Sequence, residues 1–118
     1  MAMRFLVAAP LLLLAIPVQA QTFETAASAT IEAGDYSQAE NILQRQLRHR
    51  PDRPELLLNL AAVYASTDRP AEARALYRKV LSSESVAMEL RSGAVVDSHA
   101  IARTGLRALS TRQTARVD

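Results

Sequence analysis

The 118-residue chain has no cysteine. That excludes a disulfide framework, a thiolate metal site, a cysteine nucleophile and lipid attachment at a cysteine behind a leader. There is no tryptophan, only 4% aromatic residues, and three glycines. With 49% hydrophobic residues, rich in Ala and Leu, and no long β-branched run, the composition describes one compact helical domain. A concentrated basic stretch is also missing. The formal charge is +2, acids and bases alternate, and the counterion-releasing footprint that nucleic acid requires is absent. Only two histidines occur, His49 and His99, so no spaced set of His, Asp and Glu suggests a metal or any other cofactor.

What is present begins with a leader. Arg4 precedes an apolar run from Phe5, Pro17 breaks it, and Val18-Gln19-Ala20 offers compact residues at the positions a signal peptidase reads. Residues 1–20 are expected to be a signal peptide cut between Ala20 and Gln21. The run is shorter than the roughly 20 apolar residues that span a bilayer. The mature chain is therefore expected to be periplasmic or secreted and not membrane-spanning. Thirteen arginines against the single Lys79 agree with a bacterial, GC-rich source.

Helical spacing then takes over. Phe23, Ala26, Ala27, Thr30 and Ile31 lead to Gly34, a natural helix stop. Ser37 with Glu40 predicts a capping box for a second helix with the stripe Ala39, Ile42, Leu43 and Leu47, closed by Pro51. Asp52 and Glu55 predict another box around Pro54, opening a third helix through Leu57, Leu60, Ala61 and Tyr64. A turn from Ser66 to Arg69 leads into a fourth helix at Pro70, with Ala73, Leu76, Tyr77, Val80 and Leu81 on its apolar face.

The two hairpins superpose without a gap. Phe23 and Leu57, Ala27 and Ala61, Thr30 and Tyr64, Ala39 and Ala73, Leu43 and Tyr77, and Leu47 and Leu81 are each 34 residues apart. That is the period of the tetratricopeptide repeat, whose pattern runs W-x2-L-G-x2-Y, then A-x3-F, then P. Leu57, Leu60-Ala61, Tyr64, Ala73 and Tyr77 resemble it in the second copy. Gly34-Asp35-Tyr36, Ala39, Leu43 and Pro51 do so in the first. The second copy departs from the pattern with Asp68 in place of the turn glycine and Ser85 in place of the proline.

The resemblance implies an all-α fold: a right-handed solenoid of helical hairpins, with repeats at 21–51 and 52–85. Such arrays need about three repeats or a cap. Residues 86–97 are expected to form a connecting loop or a short β-hairpin about Gly93, and 98–109 a capping helix with the stripe Ile101, Ala102, Gly105, Leu106 and Leu109. Residues 110–118 carry no apolar pattern and are expected to fray.

Catalysis finds little support. Asp97-Ser98-His99 has the residue types of a hydrolase triad, but neighbours on a helix point apart, and helix capping explains the first two. The resemblance instead implies a groove for a peptide or partner helix, lined by Glu24, Ser28 and Ile31 and by Glu55, Leu58, Asn59, Ala62 and Ser66. Leu58 lies off the packing stripe and has two readings: exposure in the groove or contact with the C-terminal cap. Some family members grip a terminal carboxylate here. Asn59 suits one such position, but Glu24 and Ser28 do not suit the others, so that activity is not carried over. Arg103 and Arg107, followed by Arg112 and Arg116, suggest a basic face, either solvated or meeting anionic lipid or an acidic partner. The expected function is a non-enzymatic protein-binding adaptor of the cell envelope. The alternative is a self-associating structural protein, a homodimer through its unfinished repeat face or the edge of the segment from Met88 to Val96.

Overall fold

The computed structural model describes residues 30–90 and 92–117. The expected signal peptide, its cleavage at Ala20 and Gln21, and most of the first repeat's leading helix lie outside them. Residues 30–32 are helical. Four full helices follow, α1 (Tyr36–His49), α2 (Pro54–Ser66), α3 (Pro70–Ser82) and α4 (Ser98–Val117). Strands β1 (Ala87–Glu89) and β2 (Val95–Asp97) stand between α3 and α4, paired antiparallel with Met88 opposite Val96. The fold is all-α and repeat-like with one short hairpin, as the spacing predicts. No helix of the described residues is long and apolar enough to cross a membrane.

The repeat is visible in the backbone itself. The Asp35 amide donates to the Thr30 carbonyl across Gly34, and the Arg69 amide donates to the Tyr64 carbonyl across Asp68, both at 2.9 Å. Each pair lies 34 residues from its counterpart. Gly34 (φ +78°) and Asp68 (φ +59°) take the same left-handed conformation. The helix-ending motif with a left-handed C′ residue is thus built twice, once with glycine and once with a residue that adopts that conformation at a cost.

Two helix starts differ from the capping expected. Asp35, not Ser37, caps α1, accepting from the Gln38 amide at 3.3 Å. Glu40 is then free to reach Arg69. At α2 the cap position is Arg53, which makes no capping hydrogen bond, and Glu55 pairs with the Arg53 guanidinium at 3.3 Å. Pro54 opens that helix and has no N–H to satisfy, so less is required of a cap.

α2 packs against α1, α3 and α4. Leu56, Leu57, Leu58, Leu60, Ala61 and Val63 are consequently all buried. A helix that is apolar nearly all round is a central one. Its two sides feed two clusters. Leu56, Leu60 and Val63 meet Ala39 and Leu43 of α1, while Leu57, Leu58 and Ala61 meet Ala73, Tyr77 and Val80 of α3 and Ala102 and Leu109 of α4. Zero-exposure alanines at 39, 61, 73 and 102 let the helix axes approach, and larger side chains fill the flanking space.

α4 is antiparallel to α3: His99 near its start reaches the carbonyl of Ser83, and Gln113 near its end meets Arg74. It closes the stack by repeating the lead-helix pattern of α2. Ser98, Ile101, Ala102 and Gly105 each stand 41 positions after Leu57, Leu60, Ala61 and Tyr64. Gly105 is where that helix lies against the Tyr77 ring; a Cβ there would run into the ring carbons.

The expected frayed end is a correction. α4 does not stop near Leu109 but continues to Val117. Residues 110–117 lack an apolar stripe, yet they are good helix formers. Arg112 donates to the Ala65 carbonyl at 3.3 Å, and Arg116 pairs with Asp68 at 2.8 Å. Polar ties along α2 and α3 hold what apolar contacts do not.

Candidate interaction surface

Two of the groove residues suggested by the sequence, Glu24 and Ser28, lie outside the described residues. Ile31 is half-buried against the α1–α2 cluster. Leu58 is only 6% exposed and packs in the same cluster as Ala102 and Leu109. Exposure in a groove is therefore corrected to contact with the cap, because α4 lies over this side of α2. The remaining candidates fall on one stripe of α2. Glu55, Asn59 and Ala62 are half-buried and Ser66 is exposed. Their spacing of four, three and four places them in line along the helix.

A polar network stitches the two repeats on the opposite side of α2, at Tyr64, which lies about 180° around the helix from this stripe. Arg69 in the α2–α3 turn donates two parallel hydrogen bonds to Glu40 of α1, at 2.9 and 2.6 Å. Its guanidinium stacks 4.4 Å from the Tyr64 ring centre and also donates to Thr67 Oγ1. Gln44 adds a bond to Glu40 at 3.2 Å. The hydrogen bonds from Arg69 hold the Glu40 carboxyl below the usual carboxylate range, against the opposing effect of burial. The network has a structural role: it ties α1 to the turn that ends α2.

Asp97, Ser98 and His99 diverge. Asp97 accepts from the Ala100 amide at 2.9 Å and so caps α4. That hydrogen bond, helped by one from the Ser85 hydroxyl, holds the Asp97 carboxyl below its ordinary value. Ser98 is fully buried and its hydroxyl accepts from the Val86 amide. His99 Nε2 donates to the Ser83 carbonyl at 2.7 Å, past the end of α3. Three neighbours thus serve three separate elements. Among the described residues no group of three or more His, Cys, Asp or Glu is placed to hold a metal ion.

The basic row divides in two. At 100° per residue, Arg103 and Arg107 lie 40° apart, but Arg112 is 180° from Arg103. Arg103 and Arg107 are exposed, with Arg107 donating to Thr104. Arg112 and Arg116 turn the other way, into a cleft of about 750 Å³ between the end of α4 and the α2–α3 turn. Sequence reasoning missed this cleft. Its signal was the five-residue step between Arg107 and Arg112, which takes the second pair off the first pair's face.

A family model described as Tetratricopeptide repeat matches residues 30–85. Comparison with curated proteins and with solved structures returns no match.

Proposed function

Since the chain belongs, over residues 30–85, to the tetratricopeptide-repeat family, whose repeats generally mediate protein–protein interaction, we propose that it is an adaptor of the cell envelope. Exported by its leader, it holds a peptide or a partner helix along the Glu55, Asn59, Ala62 and Ser66 stripe of α2. The observation that supports this reading is the contrast within that helix. Every other large side chain of α2 is spent on the core, while this line remains half-buried or exposed on an element fixed from three sides. A rigid helix with one uncommitted line presents a pre-organised surface, so little ordering entropy opposes binding.

The test is affinity capture from an envelope extract with residues 21–118 as bait, read by mass spectrometry. Asn59→Arg with Ala62→Arg is the control, because Leu58 is needed by the core. A protein enriched only by the wild type supports the reading. Equal enrichment by the folded double variant overturns it.

A specific feature favours self-association as the second reading. Val95 is 70% exposed, and Val86 and Leu90 are also open on the β1–β2 hairpin, whose strands have no further partners among the described residues. Apolar side chains on a free sheet edge invite pairing with another copy. Sedimentation across the micromolar range would show a dimer that Val95→Lys dissolves.

A further inference from the structure

We propose that the cleft between the end of α4 and the α2–α3 turn binds an acidic peptide segment, with its carboxylates on Arg74, Arg112 and Arg116. The site meets the α2 stripe only at Ser66, the last residue of that stripe, and takes in none of Glu55, Asn59 and Ala62. It exists because α4 has 20 residues and α2 has 13. At about 1.5 Å per residue, α4 runs about 10 Å longer than α2, so its last turns form a wall beyond the core.

Three arginines line the cleft with one acid, Asp68. Their present partners use little of their capacity. Arg112 donates to one carbonyl, Arg74 to the neutral amide of Gln113, and Arg116 to Asp68 in a pair whose side chains are both 70% exposed. A guanidinium carries five N–H donors in a planar fork that matches a carboxylate. The donors these ties leave unused, gathered around one recess, are what an anionic group would engage.

The rest of the lining selects the carrier. Ala65, Pro70, Ala71 and Leu109 give the cleft an apolar part beside the arginines. A peptide that alternates apolar and acidic side chains fits both parts. A free phosphate would use only the arginines, and a bilayer surface is too flat to enter a recess.

The experiment is fluorescence anisotropy with the chain and a fluorescein-labelled octapeptide of alternating leucine and glutamate, with the leucine–glutamine octapeptide as its neutral counterpart. The glutamate peptide is expected to bind, more weakly as salt rises, and the glutamine peptide not to. Arg112→Gln with Arg116→Gln should weaken binding by at least about tenfold, since each charge-assisted hydrogen bond is of that order. Arg74→Gln is expected to act in the same direction, and Arg103→Gln with Arg107→Gln on the opposite face should leave binding unchanged. Circular dichroism confirms that each variant is folded. Absence of binding, an equal loss in the Arg103/Arg107 variant, or displacement of the peptide by millimolar inorganic phosphate would each overturn the assignment. Failure of the α2-stripe variant in capture, with peptide binding intact, bears on the proposed function alone.

Discussion

Asp68 sits at φ +59° where the first repeat has Gly34 at +78°. Side chains other than glycine and, to a degree, Asn and Asp are strained there. Asp68→Gly removes that strain and loses only the exposed pair with Arg116, which contributes little in solvent. The variant is expected to gain about 0.5–1 kcal/mol in urea unfolding. Gly105 presents the opposite case. Alanine is the better helix former, but its methyl would meet the Tyr77 ring. Gly105→Ala should therefore cost about 1–3 kcal/mol. In a Tyr77→Leu background the same change should cost much less, a coupling that a double-mutant cycle measures. Glu40 carries the pH dependence. Its folded pKa is lowered, so its stabilising contribution is complete above the ordinary glutamate range and is lost as pH falls through the folded value. Asp97 acts with the same sign. Urea midpoints from about pH 6 to about pH 3 should fall less steeply for Glu40→Gln than for the wild type.

At the scale of elements, α4 is what completes the fold. It covers Leu58 and Tyr77, and Leu109 is its anchor. Leu109→Ala should destabilise by about 2–5 kcal/mol, as for other buried leucines. Removal of residues 98–118 should leave a chain without cooperative unfolding in calorimetry. The helices and the 34-residue period were legible because each rests on local spacing: Ala39 and Ala73, Leu43 and Tyr77 declare themselves one turn at a time. The length of α4 was not legible, since its last turns are held by Ala65, Asp68 and Arg74, residues far away in sequence. The spacing puts the cap of α1 two residues late because Asp35 and Ser37 are both good caps, and it is the Asp35 carboxylate that accepts from the Gln38 amide.

For the whole molecule, burial decides which candidate residues are available. Spacing alone placed Leu58 beside Asn59 and Ala62, but it could not show which line of α2 α4 would take. The same contact that withdraws Leu58 leaves Asn59 and Ala62 accessible, and the stripe runs on to Ser66, where it meets the cleft. Among the described residues, interaction surface is therefore set by how many neighbours α2 has, and that number was beyond any local pattern.

The β1–β2 hairpin has a practical consequence. The lead-helix pattern returns after 41 residues instead of 34, so the segment carrying the hairpin takes up seven extra residues between α3 and α4. Ser92 and Gly93 at its tip are exposed, Gly93 already has φ +83°, and a Cβ built there meets nothing within 4 Å. Lengthening a loop whose ends are already joined costs little more entropy. The joint between Ser92 and Gly93 is thus a splice point at which an epitope or fluorescent tag can be grafted while the helices on either side keep their stacking.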